Sequence, residues 1–138
     1  AVRIGGGVNH RYGLYDMIML KDNHNDFAGG IENSINKTIR YLKEKKLNLK
    51  IEVETRNLDE VKEVLKVGKI DRIMLDNFTY EQMRKAIQLI NGKYETEASG
   101  GINLETVRKY AECGVDFVSV GALTHSICNM DLSLKAIK

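Results

Sequence analysis

NLDEVKEVLKVGKIDRIMLDNFTYEQMRKAIQLINGKYETEASGG, residues 57–101, states one structural unit twice. Asn57 precedes a run in which Val61, Val64 and Leu65 recur at three- and four-residue spacing, and Gly68 closes it. That spacing predicts an amphipathic helix with an N-cap and a C-cap glycine. The β-branched, apolar run Arg72–Leu75 follows and reads as a strand. Thr79 then precedes Met83, Ala86, Ile87 and Ile90, Gly92 closes, and Tyr94–Ala98 reads as the next strand.

The same unit extends in both directions. Upstream lie Met17–Leu20 as a strand, Ile31–Lys46 as a helix and Leu49–Val53 as a strand. Downstream, Asn103 precedes a helix over Leu104–Cys113, Gly114 closes it, and Phe117–Val120 reads as a fifth strand. The last four strands begin at Leu49, Arg72, Tyr94 and Phe117, 22 to 23 residues apart. Such a βα repeat predicts a parallel sheet with right-handed crossovers. Two α/β architectures fit, an incomplete TIM-like barrel and an open doubly wound sheet. A complete barrel takes about 250 residues. With 138 residues, a partial barrel forming one unit over residues 1–138 is expected, and the open sheet is second.

Hydrophobic content of 43% and charged content of 29% exclude a disordered chain. A net charge of +2 gives no bulk electrostatic reason to bind nucleic acid, so any basic site is local. Apolar runs are too short for a transmembrane helix, and no secretory leader opens the chain. Cys113 and Cys128 lack a CxxC spacing, so reduced thiols in a cytoplasmic protein are expected. The chain opens on Ala1 rather than Met, beside a loop rich in functional residue types, which points to a piece of a longer protein.

Barrel and open-sheet enzymes carry their chemistry at the C-terminal ends of the strands. Here those ends are polar or glycine-rich: Lys21-Asp22-Asn23-His24, Glu54, Asp76-Asn77, Ser99-Gly100-Gly101 and Gly121. Strand alternation puts Ile51 and Val53 on the helix-facing side, and Glu52 and Glu54 on the barrel interior. Buried carboxylates need cations. Lys21 and a divalent metal are the candidate partners, with a purely structural Glu–Lys cluster as the other reading. Asp76 reads as functional, because Thr79 is better placed to cap the following helix.

Ser99-Gly100-Gly101 and Gly121 end successive strands, as in a barrel phosphate site where glycine lets the phosphate reach backbone N–H groups. The alternative is that they are turn glycines only. Thr124-His125-Ser126 adds donors beside Gly121. His10-Arg11, after Gly5-Gly6-Gly7, forms with Lys21 a basic half suited to a carboxylate, since arginine offers a two-pronged grip.

Read in order, GGGVNHRYGLYDMIMLKDNH, IEVET, IMLDN, EASGGI and GVDFVSVGALTHS resemble the quinolinate phosphoribosyltransferases over essentially the whole chain. The resemblance implies the C-terminal part of an incomplete α/β barrel. It implies transfer of phosphoribose from phosphoribosyl pyrophosphate to quinolinate with decarboxylation, giving nicotinate mononucleotide in NAD biosynthesis, with Mg²⁺. By the same resemblance, His10 and Arg11 bind the quinolinate carboxylates, and Lys21 lies between the two substrates. Glu54 and Asp76 hold the ribose hydroxyls and the metal, and Ser99, Gly100, Gly121 and His125 hold the 5′-phosphate. Lys21, Glu54 and Asp76 are the implied catalytic residues; Glu52 and Glu97 match the motifs without an assigned role. The family also has an N-terminal domain and arginines that precede the glycine loop, and a homodimer in which the partner helps close the site. The 138 residues alone are therefore expected to be inactive. A non-catalytic or other phosphate-binding barrel module is the competing function.

Overall fold

A computed structural model describes residues 1–126 and 128–137. Its strands are β1 Met17–Leu20, β2 Lys50–Thr55, β3 Arg72–Asp76, β4 Glu95–Ser99 and β5 Phe117–Val118. Its helices are α1 Asp22–Ala28, α2 Ile31–Lys45, α3 Leu58–Val67, α4 Tyr80–Ile90, α5 Val107–Ala111 and α6 Ala122–His125.

Neighbouring strands all pair in parallel, and their order across the sheet is their order in the chain. That order decides between the two architectures. A doubly wound sheet reverses direction at a switch point and carries helices on both faces. A sheet that always steps the same way, with right-handed crossovers, puts every helix on one face. Here α2 packs on α3, α3 on α4 and α4 on α5 as one continuous layer. The fold is the partial α/β barrel.

The core lies between that layer and one face of the sheet. Ile51, Val53, Ile73, Leu75 and Ala98 meet Ile35, Val61, Val64, Met83 and Ala86. Each fully buried Val, Ile or Leu contributes roughly 1.5–3 kcal/mol. Asn57 and Thr79 cap α3 and α4 as their positions predict: Asn57 Oδ1 accepts the N–H groups of Asp59 and Glu60, and Thr79 Oγ1 accepts that of Gln82. Gly68, at φ 67°, closes α3 by donating its N–H to Val64 O.

Several boundaries differ from expectation: β2 is Lys50–Thr55, β4 is Glu95–Ser99, β5 is only Phe117–Val118, and α5 stops at Ala111. α4 ends on Asn91 in the left-handed region, φ 47°, with Gly92 following it. Asn103 caps a turn over residues 104–106, accepting from Glu105 N and Thr106 N, and α5 begins only at Val107. The polar stretch after β1 is helical from Asp22 onward, its start set by His24 Nδ1 accepting the Lys21 N–H at 3.1 Å.

At the opposite end of the sheet, the residue before a strand ties in its neighbour. Asp71 Oδ2 accepts the Ile51 N–H at 2.8 Å while its own N–H goes to Ile51 O at 2.9 Å. Asp116 Oδ2 accepts both Thr96 N–H and Thr96 Oγ1–H, at 2.8 and 2.7 Å. These clasps satisfy N–H groups at strand starts and pin register. Cys113 and Cys128 are both free thiols, the first buried and the second exposed.

Candidate functional site

Strand parity makes the sheet's open face polar. Across it the register runs Met19 to Glu52 to Arg72 to Glu95, then Glu54 to Met74 to Glu97 to Phe117. Acid and base thus alternate from strand to strand in the first row. Arg72 Nη1 donates to Glu97 Oε2 at 2.8 Å and Nη2 to Glu95 Oε2 at 3.1 Å. The guanidinium lies 4.0 Å from the centre of the Phe117 ring, a cation–π contact. Ser119 Oγ donates to Glu97 Oε1.

His10, from the glycine-rich segment, completes this network. Its Nε2 lies 2.7 Å from Glu52 Oε2 and 3.6 Å from Glu97 Oε1. The Glu52 side chain is 0% exposed and that of Glu97 1%. Burial, and then the charge of Glu52, push the Glu97 carboxyl above its usual range. The hydrogen bond to Glu52 raises His10 against an opposing burial effect. The expectation that Lys21 neutralises Glu52 is corrected here. Its partner is His10, with Arg72 alongside, because Lys21 sits one step beyond the strand end and is exposed. His10, Glu52 and Glu97 keep three donor atoms within 4.8 Å of one another. Arg72 already supplies the cation there, so the cluster is an ion-pair network.

A second acidic group lies on the rim. Glu54 is raised by burial first, then by the charges of Asp76 and Asp22, with Lys21 acting against them. Glu54 is buried at the end of β2, where Asn25 Nδ2 of α1 reaches its carbonyl at 3.4 Å. Asp76 Oδ2 accepts Asn77 Nδ2 at 2.6 Å. Carboxylates that repel one another beside a single lysine form a donor set suited to a hard divalent cation. Mg²⁺ is bound by one or two carboxylates and keeps waters for the rest of its shell. Glu54 and Asp76 fit such an ion.

The glycine loops follow β4 and β5. Gly100 has φ +97°, and a Cβ there would fall 2.7 Å from Asn77 N, as well as on the Asn77 side chain. Only glycine fits. Ser99, directly before it, pairs with Asp76 across the two strands and accepts the Asn77 N–H at 2.9 Å. A Cβ on Gly121 would lie 2.9 Å from His125 Nε2, so these two are in close approach across the start of α6.

A cavity of about 590 Å³ opens on this end of the sheet, a size suited to a small ligand. His10, Arg11, Lys21 and Gly121 line it together with Arg72 and Ser119. Arg11 is tethered there by Nη1 to Met17 O at 3.1 Å. Glu54, Asp76, Ser99, Gly100 and His125 stand on the same rim without lining that cavity. Sequence reasoning missed Arg72 and Ser119, and gave Asp22, named at the end of the first strand, no role of its own. Alternation along β3 and β5 was the signal for the first two: Arg72 shares its face with Asp76, and Ser119 follows Phe117 by two.

The family model described as quinolinate phosphoribosyl transferase, C-terminal domain, matches residues 1–135. A chloroplastic nicotinate-nucleotide pyrophosphorylase (carboxylating) of Arabidopsis thaliana is 51% identical over 98% of this chain and 43% of its own length. A probable nicotinate-nucleotide pyrophosphorylase of Bacillus subtilis (strain 168) is 41% identical over 97% of this chain and 45% of its own. The chain thus spans less than half the length of these relatives. Among solved structures, a NadC deletion mutant superposes with a TM-score of 0.90 at 41% identity, covering 98% of this chain and 46% of that one. The Francisella tularensis nicotinate-nucleotide pyrophosphorylase gives 0.82 at 42% identity, covering 89% and 42%.

Proposed function

This chain belongs to the quinolinate phosphoribosyl transferase family, and on that premise we propose that its parent protein transfers phosphoribose to quinolinate with loss of carbon dioxide. The observation that carries this reading is the split rim: a basic, carboxylate-binding half of His10, Arg11 and Lys21 beside an acidic half of Glu54 and Asp76. Two anionic substrates need the first, and a ribose losing pyrophosphate needs the second.

In this reading Arg11 and His10 grip the quinolinate carboxylates. The ring nitrogen attacks the anomeric carbon of phosphoribosyl pyrophosphate as the bond to pyrophosphate breaks. Positive charge grows on the ribose, and Glu54 and Asp76 face it from the rim. Glu54 and Asp76 would hold Mg²⁺, which when bound would supply positive charge against the pyrophosphate. Lys21 stands between the halves and faces anions from both substrates. The new cationic nitrogen then draws the electrons left by departing carbon dioxide, and the ring carbon takes a proton. Ser99, Gly100, Gly121 and His125 offer donors and close backbone approach to the 5′-phosphate. The protein's task is mainly to position and neutralise anions.

A homodimer is part of the proposal, as the family resemblance implies. A cytoplasmic setting is proposed from the two free thiols. No helix among the described residues is long and apolar enough to cross a membrane. The test is nicotinate mononucleotide production by the full-length protein from quinolinate, phosphoribosyl pyrophosphate and Mg²⁺, with Arg11→Ala alongside. Arg11→Ala is expected to weaken quinolinate binding far more than phosphoribosyl pyrophosphate binding. Equal loss for both would remove Arg11 from the carboxylate pocket, and no product from the unaltered protein would end the reading in favour of a binding module.

A further inference from the structure

Glu52 is the most deeply buried charge in the chain that the proposed reaction leaves without work. Its side chain is 0% exposed, it points from the middle of β2 into the open face, and it touches His10 across 42 residues of sequence. Among the described residues its second oxygen, Oε1, has no hydrogen-bond partner. Burying a carboxylate this way is costly unless it serves another group.

We infer that Glu52 is a positioning residue for His10, holding the ring by Nε2 so that Nδ1–H is presented to a substrate carboxylate. The inference deepens the proposed function and rests on it for the identity of that carboxylate. The geometry runs in one direction. Nε2 is committed to Glu52 at 2.7 Å, with Glu97 Oε1 behind it at 3.6 Å. The only ring nitrogen left for the cavity that His10 lines with Arg11 is therefore Nδ1. With Nε2–H donated to Glu52, Nδ1 carries a proton only in the imidazolium form. An imidazolium donates to an anion, whereas the neutral ring would offer it a lone pair. Glu52 thus decides whether His10 attracts or repels a carboxylate.

The charged groups facing His10 come from three strands: Glu52 on β2, Arg72 on β3 and Glu97 on β4. The two carboxylates favour the imidazolium and Arg72 opposes it. Glu97 is already shared with Arg72 at 2.8 Å and with Ser119. The direct bond makes Glu52 the dominant partner, in keeping with the raised proton affinity of His10.

The test compares the full-length protein with Glu52→Gln, which preserves shape and can still accept from Nε2. The first readout needs no substrate: the His10 ring signals are followed by NMR as pH is raised. In Glu52→Gln, His10 is expected to lose its proton at least tenfold more readily than in the unaltered protein. The second readout is calorimetric titration with quinolinate and, separately, phosphoribosyl pyrophosphate, at pH 6 and pH 8. Quinolinate affinity is expected to fall about tenfold or more in the variant, with the larger loss at pH 8, while phosphoribosyl pyrophosphate affinity holds. An unchanged His10 titration overturns the inference. So does a loss that is equal for both ligands and the same at both pH values, because that is the mark of a damaged fold. If Glu52→Gln does not fold, His10→Gln takes its place: it must lower quinolinate affinity and flatten its pH dependence, and a retained pH dependence overturns the inference. Failure of the unaltered protein to bind quinolinate, with the His10 titration shifting as expected, sinks the functional reading and leaves the Glu52–His10 coupling standing.

Discussion

Arg72 reaches sideways from β3 to place Nη1 2.8 Å from Glu97 Oε2 on β4, while its guanidinium lies over Phe117 on β5. One side chain thus ties three strands together on the face where no helix covers them. The arrangement explains how a partial barrel keeps Glu52 and Glu97 inside: each is held by a neighbour of opposite sign.

Removing that neighbour leaves Glu97 buried with Ser119 and His10 as its remaining polar contacts. Arg72→Met is expected to destabilise the protein by roughly 3 kcal/mol or more, the cost of an unpaired buried charge. Arg72→Met combined with Glu97→Met should recover much of that loss. Urea denaturation of the single and double variants measures both, and an additive pair would show that the two residues do not share one interaction.

The clasps at the other end predict a loss of stability without loss of chemistry. Asp116→Ala removes two hydrogen bonds to Thr96 and should cost about 2 kcal/mol; Asp71→Ala removes one side-chain bond to Ile51 and should cost about 1 kcal/mol. Turnover measured well below the melting temperature should stay within twofold of the unaltered protein. A large fall in turnover there would place function at the wrong end of the sheet.

Gly100 unites fold and site. Its φ of +97° and the nearness of Asn77 N leave no room for a methyl group. Gly100→Ala is expected to cost roughly 2–3 kcal/mol and to shift the β3 and β4 ends apart. Because those ends carry Asp76 and Ser99, the Michaelis constant for phosphoribosyl pyrophosphate should rise more than that for quinolinate. A variant with normal melting temperature and normal constants would refute the crowding described at this turn.

Glu54 is a buried carboxylate in an acidic surrounding. Burial, Asp76 and Asp22 raise its carboxyl above the usual range, so the folded state holds this proton more tightly than the unfolded chain does. The resulting stabilisation is present below the ordinary carboxylate value of about 4.3 and is lost as pH rises through the raised folded value. At neutral pH the ionised group is a net burden. Glu54→Gln should therefore raise stability by about 1 kcal/mol at pH 7, with the gain shrinking towards pH 4. Turnover should drop roughly a hundredfold or more. Added Mg²⁺ should stabilise the unaltered protein and leave Glu54→Gln much less affected. Thermal melts across pH, with and without Mg²⁺, decide the matter; a variant less stable at pH 7 would mean that the carboxylate is paired.

Much of the fold was legible because it is local. The Asn57 and Thr79 caps act within three residues, so sequence places the starts of α3 and α4 correctly. Asn91 and Asn103 were harder. Asparagine tolerates the left-handed region and caps turns as readily as helices, so a nearby glycine or apolar pattern does not say which residue ends or starts the helix. On the site, parity identified Glu52 and Glu54 as interior residues, yet misassigned the partner of Glu52. Alternation tells which way a side chain faces and is silent about what it meets.

The amino-acid sequence by itself determined the βα period, the polar interior face of β2, and the loading of one sheet end with carboxylates, glycines and cations. These follow from spacings of two and about 3.6 residues and from backbone rules that act over a few residues. Only the tertiary structure decided that Glu52 meets His10 across 42 residues, and that Arg72 and Ser119 converge on Glu97 across 25 and 22. Those meetings depend on strand order, on register, and on the glycine-rich segment folding back over the sheet. Each is set by packing summed over the whole chain, so no local spacing encodes it.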